Sequence, residues 1–202
     1  MSDSEKEQRH KKRMQRHKQV VDDKINQAEQ DKGLLLVITG NGKGKSSSGF
    51  GMVARALGHG MRVGVVQFIK GAYSTGEETF YRRFPDEVEY HVMGDGFTWD
   101  TQNLEQDIAS AEKGWEVCKQ LIADPDIDVV LFDELNIVLK MRYLDIDMVL
   151  ADLENRAEMK HIIITGRGAP EAIIDAADTV SRIDDVKHAF RAGIRAQKGI
   201  EL

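Results

Sequence analysis

A glycine-rich loop that ends in Gly-Lys-Ser has the residue types and spacing of a phosphate-binding site. Residues 39–46 read Thr-Gly-Asn-Gly-Lys-Gly-Lys-Ser, after an apolar run and before a helical pattern. Glycines let the backbone fold back so that N–H groups point at an anion, and a helix start adds unpaired donors. Lys45 would then reach phosphate oxygens, and the Ser46 hydroxyl would ligate Mg²⁺. The loop predicts binding of a nucleoside triphosphate.

One position departs from the usual phosphate-loop pattern. Thr39 stands where glycine is usual, five residues before the Gly-Lys pair, although the later spacing is intact. An ordinary glycine-rich turn is the alternative, but Gly-Lys-Ser behind a buried strand is specific to phosphate binding. The residues expected to contact the nucleotide are Gly40, Asn41, Gly42, Lys43, Gly44, Lys45, Ser46 and Ser47.

Two acidic residues follow a second apolar strand. Residues 127–132 are apolar apart from Asp128, and the run ends on Asp133 and Glu134. A strand that ends in acids is the partner feature of a phosphate loop, because it places a carboxylate beside Mg²⁺. The alternative is that the acids cap the next helix. The two motifs together predict a metal site formed by Ser46 with Glu134 or Asp133.

An arginine between two glycines follows another buried strand. The run 161–165 continues into Gly166, Arg167 and Gly168, so Arg167 is expected at the same edge of the sheet as the phosphate loop. A guanidinium there could clamp a triphosphate. A plain surface turn is an equally good interpretation of these residues.

Two aromatic residues lie in a loop where polar residues would be expected. Phe97 and Trp99 follow Gly94 and Gly96. They are either core residues beneath a turn or an apolar wall for a flat ligand, since aromatic side chains bury large areas with rigid geometry.

The elements that position these residues are short buried strands alternating with helical patterns. Strands are predicted at 34–38, 63–69, 88–92, 127–132 and 161–165, with a further one at 179–183. Such alternation implies a parallel sheet with right-handed crossovers, and ligands bind at the carboxyl ends of its strands. Gln67 and the loop 70–77 are therefore site candidates. The predicted fold is α/β, a P-loop NTPase-like (RecA-like) parallel sheet flanked by helices.

Length and charge predict one catalytic domain preceded by an arm. The 202 residues suffice for one sizeable core, which is expected over 33–202. Residues 1–32 are charged and poor in large apolar residues, so they form either a solvated, partly helical or disordered arm or a helix that docks over a neighbouring site. The net charge of −6 argues against nucleic acid as a partner. A lone cysteine, Cys118, and the lack of a long apolar run predict a cytoplasmic protein without a membrane partner.

These motifs, in this order, resemble the P-loop type of ATP:corrinoid adenosyltransferase. The resemblance covers most of the chain from Gly33 onward, and six segments carry it: TGNGKGKS (39–46), VVQFIKG (65–71), GFTWDTQ (96–102), FDEL (132–135), TGRG (165–168) and VKHAF (186–190). The family loop also begins with threonine, whereas Ser46 stands where threonine is usual.

The resemblance implies transfer of the 5′-deoxyadenosyl group of ATP to the cobalt of a reduced corrinoid, with release of triphosphate. It also implies Mg²⁺, a cytosolic homodimer and a reduced flavoprotein as electron donor. In the family the triphosphate is bound in reverse, and the aromatics matching Phe97 and Trp99 exclude the lower axial ligand of the Co(II) corrinoid. An N-terminal segment can fold over the active site.

The residue inventory fits this chemistry. Co(I) is a nucleophile with no proton to lose, so the reaction needs no general base, only placement of C5′ and stabilisation of the departing charge. Two alternatives remain: a P-loop small-molecule kinase or ATPase, which would release ADP, and a nucleotide-gated binding protein that uses its arm to engage a partner.

Overall fold

The computed structural model describes residues 3–69, 75–93 and 103–200. Residues 1–32 and residues 33–202 form two separate compact units. The first unit contains one helix, α1 (Asp3–Asn26), whose described side chains are exposed. None of the helices in the described ranges is both long and apolar enough to cross a membrane.

The second unit alternates strands with helices. Its strands are β1 (Leu35–Thr39), β2 (Val63–Gln67), β3 (Val88–Val92), β4 (Val129–Asp133), β5 (His161–Thr165) and β6 (Thr179–Arg182). Its helices are α2 (Lys45–Gly58), α3 (Gly76–Tyr81), α4 (Leu104–Ala123), α5 (Leu135–Lys140), α6 (Ile146–Glu154), α7 (Glu171–Ala176) and a 3₁₀ turn (Ala189–Ala192).

The strands form one six-stranded sheet in the order β3-β2-β4-β5-β1-β6. Every pairing is parallel, and Gln67 lies opposite both Val92 and Asp133. The carboxyl ends of all strands therefore meet at one edge. The predicted α/β, P-loop NTPase-like (RecA-like) fold is confirmed.

Both faces of the sheet are covered, which explains why its central strands are apolar throughout. Side chains alternate between the two faces: in β4, Val130 and Phe132 face one core while Val129 and Leu131 face the other. Trp115 of α4 packs edge-on against Phe132, with ring centroids 5.7 Å apart. Cys118 lies fully buried in the same core.

The element boundaries follow local signals. Asp145 caps α6 by accepting hydrogen bonds from the N–H groups of Asp147 and Met148. Pro170 directly precedes the short helix α7. The strands β3 and β5 have the predicted bounds, and the ends of the other four strands differ from the prediction by at most two residues. Because β4 extends to Asp133, this acid belongs to the strand itself.

Candidate functional site

The phosphate loop connects β1 to α2 and is tightly packed at its start. Gly40 has φ 104°, and a Cβ there would lie 2.3 Å from the carbonyl oxygen of Ile183. The Gly42 N–H donates to the same carbonyl oxygen over 2.8 Å. Only glycine fits at position 40, because the backbone is left-handed and the segment after β6 lies against it. Residues 183 and 184 therefore border the loop.

Lys45 folds back over this loop at the first position of α2. Its side chain is buried, and Nζ donates a 2.7 Å hydrogen bond to the Gly42 carbonyl oxygen. Burial lowers the pKa of Lys45, and the nearby Glu134 charge opposes that shift. No side chain in the described part of the chain caps α2, so its N-terminal N–H groups are available for an anion.

The remaining predicted loop residues surround this lysine. Gly42 is buried and Ser46 is half-buried at the helix start, whereas Asn41, Lys43 and Ser47 are exposed. Gly44, with φ 105°, is the residue that precedes α2. The loop thus forms an open cradle that contains one buried positive charge, the ammonium group of Lys45.

Asp133 is held from two sides at the end of β4. Its Oδ2 accepts from Gln67 Nε2 over 3.0 Å, and its Oδ1 accepts from the Thr165 hydroxyl over 2.6 Å. Tyr90 adds a further hydrogen bond to this network, because its hydroxyl donates to Gln67 Oε1 over 3.4 Å. Each oxygen of the buried Asp133 carboxylate therefore has a protein partner.

Glu134 is in a different state. It has φ 64°, which is unusual for a residue other than glycine, and its N–H donates to the Thr165 hydroxyl oxygen over 3.0 Å. Its Oε2 is buried and has no hydrogen-bond partner among the described residues. Burial, reinforced by the Asp133 charge, raises the pKa of Glu134 to about 7, while Lys45 and Arg167 oppose the rise. A cation beside this oxygen would satisfy it.

Arg167 follows β5 and is exposed at the same edge. It is close enough for its charge to lower the pKa of Lys45 and to oppose the raised pKa of Glu134. Gly166 has φ 127°, and a Cβ there would come within 3.1 Å of Glu134 Oε2. The fold thus brings together Lys45, Glu134 and Arg167, which lie far apart in the sequence.

The donor set fits a magnesium ion. The structure describes no group of three or more His, Cys, Asp or Glu residues able to hold a metal. Mg²⁺ does not require one, because it is commonly bound by one or two protein oxygens together with substrate phosphates and water. The unpartnered Oε2 of Glu134 and the hydroxyl of Ser46 are oxygen donors of that kind.

Some predicted residues cannot be placed, and two site residues were not predicted. Phe97, Trp99 and the loop residues 70–74 lie outside the described residues. Thr165 and Asn136, which contact Glu134 and Gly166, were missed. Their signals were a hydroxyl residue closing an apolar strand and an amide inside the apolar run 135–139.

Comparison with known proteins agrees with this geometry. Residues 31–202 match the family model "ATP:corrinoid adenosyltransferase BtuR/CobO/CobP", and residues 1–25 match "Cob(I)alamin adenosyltransferase N terminal". A corrinoid adenosyltransferase of Pseudomonas aeruginosa is 66% identical over 198 residues, covering 98% of each chain. Those of Escherichia coli K12 and Salmonella typhimurium LT2 are each 46% identical over 195 residues, covering 96% of this chain and 98% of theirs.

The resemblance inferred from the sequence motifs is therefore confirmed over nearly the whole chain. The match includes the phosphate loop, the Asp133–Glu134 strand end and the Arg167 loop, which the sheet brings to one edge. The chain belongs to the ATP:corrinoid adenosyltransferases, a family of enzymes that adenosylate corrinoids in an ATP-dependent reaction.

Proposed function

We propose that this site transfers the 5′-deoxyadenosyl group of ATP to the cobalt of a reduced corrinoid and releases triphosphate. The observation that carries the proposal is the convergence of Lys45, Glu134 and Arg167 beside a glycine-rich loop that opens a helix. Cations and free N–H groups suit a triphosphate, and the family membership supplies the corrinoid as acceptor.

The proposed roles follow from where charge develops. The Co(I) nucleophile attacks C5′, the bond from C5′ to the α-phosphate oxygen breaks, and the electron pair leaves with the triphosphate. Lys45, Arg167 and the uncapped N–H groups at the start of α2 stabilise that charge. No protein group needs to accept a proton, which is consistent with an Asp133 carboxylate fully engaged in hydrogen bonds.

Ser46 and Glu134 are the proposed protein ligands of Mg²⁺, with Asp133 supporting them. Of the two acids, Glu134 is favoured because its Oε2 lacks a partner among the described residues, whereas both oxygens of Asp133 accept hydrogen bonds. When bound, Mg²⁺ neutralises phosphate charge and orients the triphosphate. The raised pKa of Glu134 reflects the burial of this carboxylate beside the Asp133 charge.

Phe97 and Trp99 are proposed to form the apolar wall against the corrinoid. In that role they displace the lower axial ligand of the Co(II) form and make its reduction to Co(I) accessible. The proposal rests on the resemblance of the segment 96–102 to the family, within a family-model match that covers residues 31–202. It gives this aromatic loop a task that phosphoryl transfer would not.

The chain is proposed to act as a cytoplasmic homodimer that receives electrons from a reduced flavoprotein, without nucleic-acid or membrane partners. Residues 1–32 are proposed to be a separate, charged N-terminal arm, and residues 33–202 the catalytic domain. Support comes from the separate match of residues 1–25 to an N-terminal family model and from the compactness of the two units. The net charge of −6 supports the absence of a nucleic-acid partner.

One incubation tests the reaction. The protein is mixed with Mg-ATP and chemically reduced cob(I)alamin, while the corrinoid spectrum and the phosphate product are followed together. Adenosylcobalamin and triphosphate appearing in equal amounts are expected. ADP and phosphate without alkylation of cobalt would refute the proposal in favour of the kinase or ATPase alternative.

A further inference from the structure

Two hydrogen bonds join the segment that follows β4 to the end of β5. The Glu134 N–H donates to Thr165 Oγ1 over 3.0 Å, and Asn136 Nδ2 donates to the Gly166 carbonyl oxygen over 3.2 Å. We call this pair the Glu134 clamp. Thr165 and Asn136 are both fully buried, and the bond from Asn136 to Gly166 is buried as well.

The Thr165 hydroxyl is the centre of the clamp. It donates its proton to Asp133 Oδ1 over 2.6 Å and accepts from the Glu134 N–H, so both kinds of hydrogen bond are in use. Asp133 is itself held by Gln67, which lies beside it in the sheet register. A chain of hydrogen bonds through Thr165 and Asp133 therefore connects the Glu134 backbone to Gln67 in the sheet.

Glu134 needs such support. Its left-handed backbone is sterically unfavourable for a residue with a Cβ, and such conformations persist only where surrounding contacts over-determine them. Its Oε2 is buried and unpartnered among the described residues, so no side-chain hydrogen bond to that oxygen directs the carboxylate. The Glu134 backbone is held directly by its N–H bond to Thr165 and by the bond from the Ile137 N–H to its carbonyl oxygen.

The same clamp also fixes the start of the arginine loop. Gly166, whose carbonyl is held by Asn136, directly precedes Arg167. Any side chain at position 166 would meet Asn136 Cβ at 3.0 Å and Glu134 Oε2 at 3.1 Å, so the two segments are in close contact. The carboxylate of Glu134 and the guanidinium of Arg167 thus extend from one hydrogen-bonded unit.

We propose that Thr165 and Asn136 are positioning residues for adenosyl transfer: the Glu134 clamp holds the Glu134 carboxylate and Arg167 in register with the triphosphate. The inference rests on the proposed function of this site. A buried threonine that served stability alone would affect unfolding, whereas a positioning residue also affects metal binding and turnover in the folded protein.

The test compares Thr165→Val, which keeps the shape and removes the hydroxyl, with Thr165→Ser, which keeps the hydroxyl. Thr179→Val, at an exposed position of β6, is the matched control. Each full-length variant is measured for kcat and KM with Mg-ATP and cob(I)alamin, for Mn²⁺ affinity in the presence of ATP by electron paramagnetic resonance, and for thermal unfolding.

Thr165→Val is expected to lower kcat and Mn²⁺ affinity by about 10–100-fold, the usual effect of losing a hydrogen bond that orients a metal ligand. Thr165→Ser and Thr179→Val are expected to retain most of both. Asn136→Leu, which removes the bond to Gly166, is expected to raise KM for Mg-ATP because the backbone that precedes Arg167 is no longer held in place. If Thr165→Val does not fold, Thr165→Ala replaces it against the same serine reference.

The outcomes separate this inference from the proposed function. If the unaltered protein forms adenosylcobalamin and triphosphate while Thr165→Val keeps normal kcat and Mn²⁺ affinity, the clamp has no positioning role. Equal losses in Thr165→Val and Thr165→Ser would also overturn it, since the hydroxyl would not be the cause. If the unaltered protein forms ADP instead, the proposed function fails, and Mn²⁺ affinity alone still decides the role of the clamp.

Discussion

Lys45 donates a hydrogen bond from Nζ to the carbonyl oxygen of Gly42, across 2.7 Å, within the loop it is expected to serve. The lysine is buried, so its charge lies over the cradle rather than in solvent. A triphosphate entering the cradle would offer Nζ a charged partner in place of a neutral carbonyl, which is the stronger kind of hydrogen bond. The phosphate loop thus already holds the Lys45 ammonium group in place before a nucleotide binds.

Replacing this lysine tests the phosphate loop. Lys45→Ala is expected to lower kcat by about 10²–10³-fold, the range found when one preorganised charge-stabilising donor is removed. Thermal unfolding is expected to change little, because burying the charged lysine carries a desolvation cost. Steady-state kinetics with cob(I)alamin check this, with exposed Lys113→Ala as control. Near-normal turnover would refute the assignment of residues 39–46 to triphosphate binding.

Removing the Glu134 charge tests the metal site. Glu134→Gln keeps the side-chain size and is expected to raise the Mg²⁺ concentration needed for half-maximal activity by about 10–100-fold. A Mg²⁺ titration of initial rates measures the change, and exposed Glu154→Gln is the control. An unchanged titration would transfer the metal-binding role to Asp133.

The stability of the metal-free protein is expected to depend on the ionisation of Glu134. Its pKa is raised by burial from an ordinary 4.5 to about 7, so between these values the folded state binds more protons than the unfolded state. Stability contributed by this group therefore falls as pH rises through that window and is constant outside it.

Glu134→Gln removes this dependence. At pH 8 the variant is expected to be more stable than the unaltered protein by up to ~3 kcal/mol, and at pH 4 the two are expected to be similar. Urea unfolding with a chelator present, at both pH values, measures the difference. A difference that stays constant between pH 4 and pH 8 would contradict the predicted ionisation.

The effect of replacing the aromatic pair Phe97 and Trp99 is expected to depend on the oxidation state of the corrinoid that is supplied. Changing both to Ala should slow reaction from enzymatically reduced Co(II) corrinoid more than reaction from chemically prepared Co(I), because the wall acts before the cobalt is reduced. Parallel assays with the two acceptors measure this. Equal losses would indicate that the residues are part of the core.

Replacing Lys160 is expected to affect the stability of the fold and not the reaction. It is buried, and its Nζ donates to the carbonyl oxygens of Leu121 and Asp124 at the end of α4. Lys160→Met is expected to lower the free energy of unfolding by about 1–3 kcal/mol, because buried carbonyls lose their donor. Urea unfolding measures this loss, and the folded variant should keep its kcat. Exposed Lys113→Met should not change stability.

Local chemistry in the sequence was sufficient to single out the phosphate loop, the acidic strand end and Arg167 as candidate parts of the site. Gly-Lys-Ser after an apolar strand, acids closing a second strand and Arg167 between glycines each depend on neighbours within a few residues. Near-continuous apolar strands separated by helical patterns likewise indicated a parallel sheet covered on both faces. These features were predictable because glycine conformation, helix starts and strand periodicity are local properties of the chain.

Strand order and side-chain partnership were decided only by the tertiary structure. Placing β5 between β1 and β4 brings Thr165 to Asp133, 32 residues earlier, and the segment after β6 brings Ile183 against Gly42. Adjacent acids in the sequence thereby acquire different states: Asp133 has both oxygens bonded, whereas Glu134 keeps a buried oxygen unpartnered among the described residues. No local pattern encodes that difference, because long-range strand pairing determines which groups meet.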